Sequence, residues 1–342
     1  MSHPTVVDPA QGAAPEHGPR RIGVVGAGRV GAVLGAAWRS AGHEVVAVSG
    51  DSDASRSRAA TLLPGVEVLK PSAVARACDV LVLAVPDDML GNVARQLGGA
   101  GALTRGSGQA GLTVVHLSGR HGLSVLEPAR ESGADVVALH PAMTFTGTSR
   151  DLERLSGCAF GATVDSPAAL DLVDDLVGAV GGRVVPVADE HRSLYHAALA
   201  HGANHLVTLV AQAREMLAAV GAEDPAATLR PLLEAALDNA LESGDAALTG
   251  PIVRGDVETV RAHVRELLAH QPLAVASYVS LARDTASRAA ADGRLLPIRA
   301  AAIERVLALA EAGRADLLAA YASTGGRLAD TRGAGPAPQA GS

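Results

Sequence analysis

The feature that most constrains this chain is a glycine motif that directly follows its first Val-rich run. The run Arg21–Gly26 predicts a buried strand, and residues 26–31 have the pattern GxGxxG at the start of a helical stretch. In this pattern the first glycine permits a tight turn, the second lets a pyrophosphate approach the backbone, and the third allows close helix–strand packing. The helix N-terminus offers N–H groups and a partial positive charge to phosphates. We therefore expect the following residues to bind a dinucleotide: Gly26, Ala27, Gly28, Arg29, Val30 and Gly31.

Short Val-rich runs alternate with helical stretches from residue 21 to residue 188. The predicted strands are Arg21–Gly26, Glu44–Ser49, Val66–Leu69, Asp79–Val85, Thr113–Leu117, Asp135–Leu139, Ala159–Thr163 and Arg183–Val187. Apolar strands without polar alternation, separated by helices, are typical of a parallel sheet covered on both faces. Residues 21–188 are therefore predicted to form an α/β domain, a Rossmann-type doubly wound and mainly parallel sheet.

No strand pattern remains after residue 188, and residues 189–324 are predicted to form an all-α domain for substrate binding and dimerisation. Its helices are expected near 189–219, 225–243, 256–269, 271–291 and 298–320, with Asp224 and Asp256 as N-caps. Residues 1–20 and 325–342 are rich in Gly, Ala and Pro without any period, so they are predicted to be disordered tails.

Composition excludes several classes of function. The 342 residues carry a net charge of −7 and only 2% aromatic residues, which argues against nucleic acid as a partner. The longest apolar runs are too short to span a membrane. Two cysteines make no disulfide framework and no spacing typical of a metal site. These features favour a cytoplasmic protein with a small-molecule substrate.

The end of the second predicted strand bears on the choice of cofactor. NAD-binding proteins usually place Asp or Glu there, whereas this chain has Ser49, followed by the basic Arg56 and Arg58. Asp51 and Asp53 lie nearby and would repel a phosphate. The pattern favours NADP and leaves NAD possible. Further cofactor contacts are expected at strand ends elsewhere in the sheet, from Val85, Pro86 and Ser118.

Several segments together resemble a known family. The segments Ile22–Gly31, Asp79–Asp88, Val115–Gly119 and Leu139–Pro141 look like a Rossmann protein of the β-hydroxyacid dehydrogenase type. Tyr195–Ala198 with Asn204, and Leu248–Pro251 with Arg254–Asp256, resemble the bacterial predicted oxidoreductases that join a Rossmann-like half to a helical domain of unknown function. Those proteins are related to pyrroline-5-carboxylate reductases, F420-dependent NADP oxidoreductases and ketopantoate reductases. The resemblance implies a reductase with a helical domain like that of 6-phosphogluconate dehydrogenase.

The chain departs from that pattern at one catalytic position. Many β-hydroxyacid dehydrogenases carry Lys-x-x-x-Asn on the first helix of the second domain, and the lysine donates a proton. Asn204 fits the asparagine, but Ala200 stands four residues before it, and the single lysine of the chain is Lys70. A lysine mechanism in the second domain is therefore excluded.

Histidines on the helix that begins near residue 190 are the alternative proton donors. Reduction of a carbonyl or imine needs such a donor beside the nascent oxygen or nitrogen. His196 is the first choice, His201 the second, and Asn204 would orient the substrate or the histidine; at 100° per residue the three share one side of a continuous helix. Tyr195 is interpreted as a packing residue.

Two other regions supply candidate substrate contacts. Ligands of open α/β sheets bind beyond the carboxyl ends of strands, which points to Ser118, Gly119 and His140. The segment Thr249–Asp256, with its Gly-Pro, interrupts two predicted helices and contains Thr249 and Arg254. Arg254 could hold a substrate carboxylate in a bidentate pair.

The sequence thus predicts an NAD(P)-dependent oxidoreductase, with NADPH-dependent reduction of a small 2-oxo acid such as ketopantoate as its first specific hypothesis. A reductase of a cyclic imine, an F420-linked NADP reductase and a dinucleotide sensor without turnover stay open as alternatives. Helices that are apolar on more than one side also predict a homodimer. They include Leu232, Leu233, Ala236 and Leu237, and later Val306, Leu307, Ala310 and Leu318.

Overall fold

A computed structural model describes residues 18–107 and 111–318 of the chain. The two tails predicted at 1–20 and 325–342 lie outside the described residues, apart from residues 18–20. Contacts within the chain divide it into two compact units, Met1–Asn204 and His205–Ser342.

The first unit contains one sheet of eight strands. The strands are β1 Arg21–Val25, β2 Glu44–Ser49, β3 Glu67–Val68, β4 Val80–Leu83, β5 Thr113–His116, β6 Asp135–Pro141, β7 Ala159–Thr163 and β8 Arg183–Pro186. Their order across the sheet is β3-β2-β1-β4-β5-β6-β7-β8. All neighbours are parallel except β6 and β7, which pair antiparallel. The predicted Rossmann-type, mainly parallel sheet is confirmed.

Eight helices of the first unit lie between or after these strands. They are α1 Arg29–Ser40, α2 Asp53–Leu62, α3 Pro71–Ala77, α4 Asp87–Gly99, α5 Glu127–Glu131, α6 Arg150–Arg154, α7 Pro167–Gly178 and α8 Arg192–Leu199. Two separate apolar clusters form the core of this unit. The side chains of β4 alternate between them, with Val80 and Val82 in one and Leu81 and Leu83 in the other. Since successive side chains of a strand point to opposite faces, the sheet is buried on both sides.

The second unit is helical. Its helices are α9 His205–Ala219, α10 Pro225–Ser243, α11 Val257–His270, α12 Val275–Ala291 and α13 Pro297–Glu311. Both predicted N-caps are confirmed: Asp224 accepts a hydrogen bond from the Ala227 N–H at 2.9 Å, and Asp256 accepts one from the Thr259 N–H at 3.1 Å. The core of this unit lies between α11, α12 and α13.

Two expectations about the helical region need correction. The helix predicted over 189–219 is not continuous, because a π-helical turn at Ala200–Asn204 separates α8 from α9. Residues Val306, Leu307, Ala310 and Leu318 are buried in the core of their own unit, so they do not offer an apolar face to another subunit. By contrast, α9 and α10 contain no buried residue.

No helix within residues 18–107 and 111–318 is long and apolar enough to cross a membrane.

Candidate functional site

The glycine loop between β1 and α1 has the geometry that a dinucleotide requires. Gly26 has a φ of +101°, a conformation that L side chains rarely adopt, and an added Cβ would lie 2.5 Å from the Ala84 carbonyl oxygen. A Cβ at Gly31 would lie 2.2 Å from the Gly26 carbonyl oxygen, so helix and strand approach as closely as the motif predicts. A Cβ at Gly28 would meet nothing within 4 Å. The open position is therefore the one at which a pyrophosphate would approach the backbone.

The remaining residues of the loop fix its position against β2. The carbonyl oxygen of Ser49 accepts hydrogen bonds from the N–H groups of Gly26 at 3.2 Å and Ala27 at 2.7 Å. Gly28 caps α1 without any side-chain hydrogen bond to the first turn, and Arg29 is exposed as the first residue of the helix. The first turn of α1 therefore keeps backbone N–H groups for an anion, and the residues present fit a dinucleotide.

The other predicted cofactor contacts lie at neighbouring strand ends. Ser49 is the last residue of β2 and is buried. Val85 is half-buried and Pro86 is exposed as the residue that precedes α4. Val30 is half-buried and packs against the core beneath the sheet.

A second group of polar residues lies at the same edge of the sheet, where His140 near the end of β6 meets two residues of α8. His140, Tyr195 and His196 form what we call the histidine–tyrosine cluster. The Tyr195 hydroxyl lies 3.2 Å from His140 Nδ1, and the two rings meet edge to face with centroids 5.7 Å apart. The rings of His140 and His196 also meet edge to face, at 5.6 Å. Tyr195, interpreted from the sequence as a packing residue, is thus also the hydrogen-bond partner of His140.

Two glycines make room for this cluster. A Cβ at Gly119 would lie 2.3 Å from His196 Nδ1 and 3.1 Å from His140 Cδ2. A Cβ at Gly161 would lie 2.4 Å from Tyr195 Cζ. Gly161 pairs with His140 across the antiparallel β6–β7 ladder. The Tyr195 ring therefore packs on Gly161, directly beside His140. His196 Nδ1 is buried against Gly119 and has no hydrogen-bond partner among the described residues.

A fully buried arginine holds the cluster to the sheet. Arg192 is 0% exposed, and its Nη2 donates to the Ser118 carbonyl oxygen at 2.6 Å. Its Nη1 donates to Thr163 Oγ1 at 3.0 Å and, more weakly, to two strand carbonyl oxygens at 3.4 Å. No carboxylate among the described residues pairs with this guanidinium. Strand carbonyl dipoles therefore take the place of a counter-ion, and burial lowers the pKa of Arg192.

The loop that carries Ser118 is held by the neighbouring His116. His116 is 0% exposed; its Nδ1 accepts the Ser118 N–H at 3.2 Å, so its Nε2 carries the proton and donates to the Gly122 carbonyl oxygen at 3.1 Å. The Ser118 hydroxyl accepts the His121 N–H at 3.2 Å. Asp189 supports the same loop by accepting the Leu123 N–H at 2.7 Å.

Burial keeps two members of the cluster, His140 and Tyr195, uncharged. Burial first, then the charges of His196 and Arg192, lower the pKa of His140 to about 4. Burial raises the pKa of Tyr195 above its ordinary value. At neutral pH, His140 is therefore a neutral imidazole and Tyr195 a protonated phenol. Such a pair can donate or accept one hydrogen bond to a ligand without holding a fixed charge.

The structure brings some predicted site residues together and leaves others apart. Ser118, Gly119, His140 and His196 lie at one edge of the sheet. His201 and Asn204 are exposed and lie in the π-helical turn. A π turn changes the angular step along the helix, so His201 and Asn204 do not follow His196 at 100° per residue and are not placed on its face. Thr249 and Arg254 are exposed residues of the second unit, just before α11.

Sequence reasoning did not identify Arg192 or the hydrogen bond of Tyr195 to His140. The segment Glu190–His196 contains both residues, but a buried arginine without an acidic partner has no sequence signature. The one available signal was Gly161, because a glycine inside a strand often marks a place where another group approaches closely.

The lowered pKa values of His116, about 3, and of His140, about 4, predict acid sensitivity. An unfolded histidine titrates near pH 6.5, so their stabilising contribution is complete above that pH. It is lost progressively as pH falls towards 4, because only the unfolded chain takes up these protons. The free energy of unfolding should therefore fall less steeply with decreasing pH in His140→Gln than in the wild type. We expect a difference of about 1.4 kcal/mol per pH unit at the acidic end of this range.

Urea unfolding at several pH values between 7.5 and 4.5 measures how the free energy of unfolding of the first unit depends on pH. The fluorescence of the buried Trp38 reports the unfolding of this unit. His191→Gln, at an exposed position beside α8, is the control that should keep the wild-type slope. Equal slopes for His140→Gln and wild type would contradict the prediction.

Comparison with known proteins agrees with this architecture. Residues 8–141 match a family model described as a Rossmann-like domain, and residues 158–285 match a domain of unknown function, DUF2520. No curated protein matches the chain.

Solved structures with the same fold include several reductases. A suspected NADP oxidoreductase from Bacteroides fragilis has a TM-score of 0.63 at 20% identity, covering 79% of this chain and 98% of that one. Pyrroline carboxylate reductase from Plasmodium falciparum, with NADP bound, has a TM-score of 0.52 at 13% identity, covering 81% and 100%. An imine reductase from Myxococcus stipitatus, in complex with NADP+, has a TM-score of 0.51 at 16% identity, covering 88% and 99%. The chain therefore carries a Rossmann-like domain followed by a DUF2520 domain, which confirms the resemblance found in its sequence.

Proposed function

We propose that this protein is an NADPH-dependent oxidoreductase that reduces a small 2-oxo acid of the ketopantoate type. One observation carries the proposal: the open glycine loop after β1 and the histidine–tyrosine cluster, which includes His140 near the end of β6, lie at the same carboxyl edge of one mainly parallel sheet. Ligands of doubly wound sheets bind along this edge, on either side of the point where strand order reverses. That point lies here between β1 and β4.

The protein's own residues divide the work between binding and proton transfer. The glycine loop and the first turn of α1 hold the pyrophosphate, with further cofactor contacts from Ser49, Val85 and Pro86. A bound nicotinamide cofactor supplies the hydride. Ser118, Gly119 and His140 border the proposed position of the substrate at the sheet edge.

His196 is the proposed proton donor. Its Nδ1 is enclosed against Gly119, which leaves Nε2 as the ring atom from which a proton can reach a ligand. The His140 ring meets the His196 ring edge to face, and His140 is itself held by the Tyr195 hydroxyl. Asn204 is the proposed orienting residue, and His201 is the second candidate for the donor.

A cyclic imine is the second candidate substrate. The fold is shared with a pyrroline carboxylate reductase and with an imine reductase, both with TM-scores above 0.5. Oxidation of NADPH, followed at 340 nm with ketopantoate-like 2-oxo acids, cyclic imines and oxidised F420, decides between these classes. Tight binding of NADPH without turnover of any of them would leave a dinucleotide sensor.

Gly28→Val is expected to abolish dinucleotide binding in a folded protein. The backbone of Gly28 has a φ of −74°, which valine accepts, and the new side chain would enter only the open space over the loop. Isothermal titration with NADPH measures the affinity, and circular dichroism checks the fold. Gly31→Ala is the contrasting variant, since its Cβ would collide with the Gly26 carbonyl oxygen and destabilise the fold itself. Wild-type affinity in folded Gly28→Val would remove this site.

His196→Ala is expected to lower turnover by about 10²–10⁴, the usual effect of removing a general acid. The affinity for NADPH should stay unchanged, because the residue lies away from the glycine loop. His196→Gln keeps hydrogen bonding without acidity and should also be slow. The control is His191→Ala, at an exposed position before α8. Wild-type turnover in both His196 variants would move the donor to His140 with Tyr195, or to His201.

We also propose that two copies of the chain associate through α9 and α10. These helices bury no residue in their own chain, yet they carry Val207 (70% exposed), Leu232 (66%) and Leu241 (78%). Exposed apolar side chains on two helices are stabilised when another surface shields them from water. A second copy of the chain offers the same apolar surface, related by two-fold symmetry.

Light scattering at micromolar concentration is expected to give the mass of two chains. The paired substitution Leu232→Arg with Leu241→Arg should shift the protein to the monomer, because it places charges in the apolar contact. Leu273→Arg is the matched control: Leu273 is 93% exposed but lies outside both helices. A monomeric wild type, or equal dissociation by the control, would refute the proposed interface.

A further inference from the structure

An ion pair joins two neighbouring loops at the carboxyl edge of the sheet. The strands β4 and β5 pair in parallel, and Asp87 and Arg120 follow the ends of these strands, at Leu83 and His116, by the same number of residues. Arg120 Nε donates to Asp87 Oδ2 at 3.1 Å. The pair therefore lies at the edge that carries both the glycine loop and the histidine–tyrosine cluster.

The backbone that carries Arg120 is fixed beside the cluster. Arg192 holds the Ser118 carbonyl oxygen at 2.6 Å. The next residue, Gly119, is buried, and a Cβ there would lie 2.3 Å from His196 Nδ1. Adjacent Cα atoms are about 3.8 Å apart, so the side chain of Arg120 starts directly beside the histidine–tyrosine cluster.

The guanidinium of Arg120 is only partly engaged. Its Nε makes the hydrogen bond to Asp87, whereas Nη1 and Nη2 donate no hydrogen bond to a residue within 18–107 or 111–318. The Arg120 side chain is 51% exposed, so these N–H groups are accessible to a ligand. A planar guanidinium that binds one carboxylate through Nε can bind a second one through Nη1 and Nη2 as a bidentate pair. Asp87 therefore orients the group and leaves its outer end for another anion.

The charge of Asp87 acts on the cluster. Burial, and then the charges of His196 and Arg192, lower the pKa of His140, whereas the charge of Asp87 raises it. The Asp87 carboxylate, and with it the guanidinium that it holds, is therefore within electrostatic range of the residues proposed for proton transfer. Arg192 does not offer a ligand the same contact, because it is 0% exposed and both of its Nη groups already donate to the sheet and its loops.

We infer that Arg120 binds the carboxylate of the substrate and so restricts the reductase to acids, with Asp87 as the residue that positions the guanidinium. The inference rests on the proposed reductase function and names the group that its site recognises, a carboxylate next to the carbon that accepts the hydride. A 2-oxo acid always carries this group, whereas a cyclic imine carries it only as the imine carboxylate. Simple cyclic imines are therefore excluded as good substrates.

The test measures binding without turnover. The full chain is saturated with NADP+, which has no hydride to transfer, and isothermal titration then measures its affinity for two acids and for their counterparts without a carboxylate. The couples are ketopantoate with ketopantolactone, and 1-pyrroline-2-carboxylate with 1-pyrroline. The wild type should bind the acid of at least one couple more tightly than its counterpart.

Variants of the ion pair should change the affinity for the acid alone. Arg120→Gln should lower it by roughly ten- to hundredfold, the range for a lost hydrogen bond to a charged group. Arg120→Lys keeps the charge without the planar pair of Nη groups and should restore part of the affinity. Asp87→Ala should weaken the acid severalfold, because Arg120 loses its orientation. The affinity for the counterpart should stay at the wild-type value in all three variants.

Arg130→Gln is the matched control and should leave every affinity unchanged. Arg130 is also a half-exposed arginine in an ion pair between two elements, with Asp165, but it lies on α5, before the amino end of β6. The inference is overturned if Arg120→Gln weakens an acid and its counterpart equally, if Arg130→Gln has the same effect as Arg120→Gln, or if the wild type binds the counterparts as tightly as the acids. Unchanged binding of the acid in Asp87→Ala would overturn the positioning role of Asp87.

Turnover with NADPH separates this inference from the proposed function. Selective binding of an acid through Arg120, without oxidation of NADPH by any acid or imine, would refute the reductase and leave the carboxylate site standing. Reduction of an acid and its counterpart with equal kcat/KM would leave the reductase standing and refute the role of Arg120. No binding of either acid, together with no turnover, would refute both.

Discussion

The buried guanidinium of Arg192 is the interaction on which the geometry of the cluster depends. It reaches from α8 to the carbonyl oxygen of Ser118 after β5 and to Thr163 on β7. One side chain thereby links three elements that are distant in sequence. A carboxylate partner would confine the charge to one contact, whereas carbonyl oxygens at several strand ends share it. Tyr195 and His196 follow Arg192 by one helical turn, so fixing Arg192 also fixes them above the sheet.

The reversal of chain direction at β7 is the second constraint. Because β7 runs antiparallel to β6, Gly161 comes opposite His140. In a uniformly parallel sheet the next strand would continue the row of carboxyl ends. Here, instead, β7 supplies a glycine that accommodates the Tyr195 ring. The Tyr195 hydroxyl therefore reaches His140 from the side, and the two remain uncharged at neutral pH because both are shielded from water.

Missing side chains shape the site as much as those present. Gly119 makes space for His196, Gly161 for Tyr195, and Gly147 for Arg29 and Arg58. Gly28 differs from these three, because no atom of the protein occupies the space beside it. Glycines that are filled by a neighbour position a side chain, whereas an open glycine in a loop of this type leaves room for a ligand. The sheet edge therefore carries an open glycine loop near β1 and β2 and a polar cluster near β5 and β6.

Local sequence determined most elements of this protein, although it did not predict the π-helical turn at Ala200–Asn204. Val-rich runs and their spacing predicted all eight strands, and the GxGxxG pattern predicted both the turn at Gly26 and the close packing at Gly31, since these depend on neighbouring residues in the chain. The absence of lysine after Lys70 excluded one mechanism without any structure. Tertiary structure alone decided which side chains meet. The contacts of Arg192 with β5 and β7, of Tyr195 with His140, and of Arg58 with Gly147 join residues 29 to 89 positions apart. No periodicity encodes such distances, because they follow from strand order and from the reversal at β7.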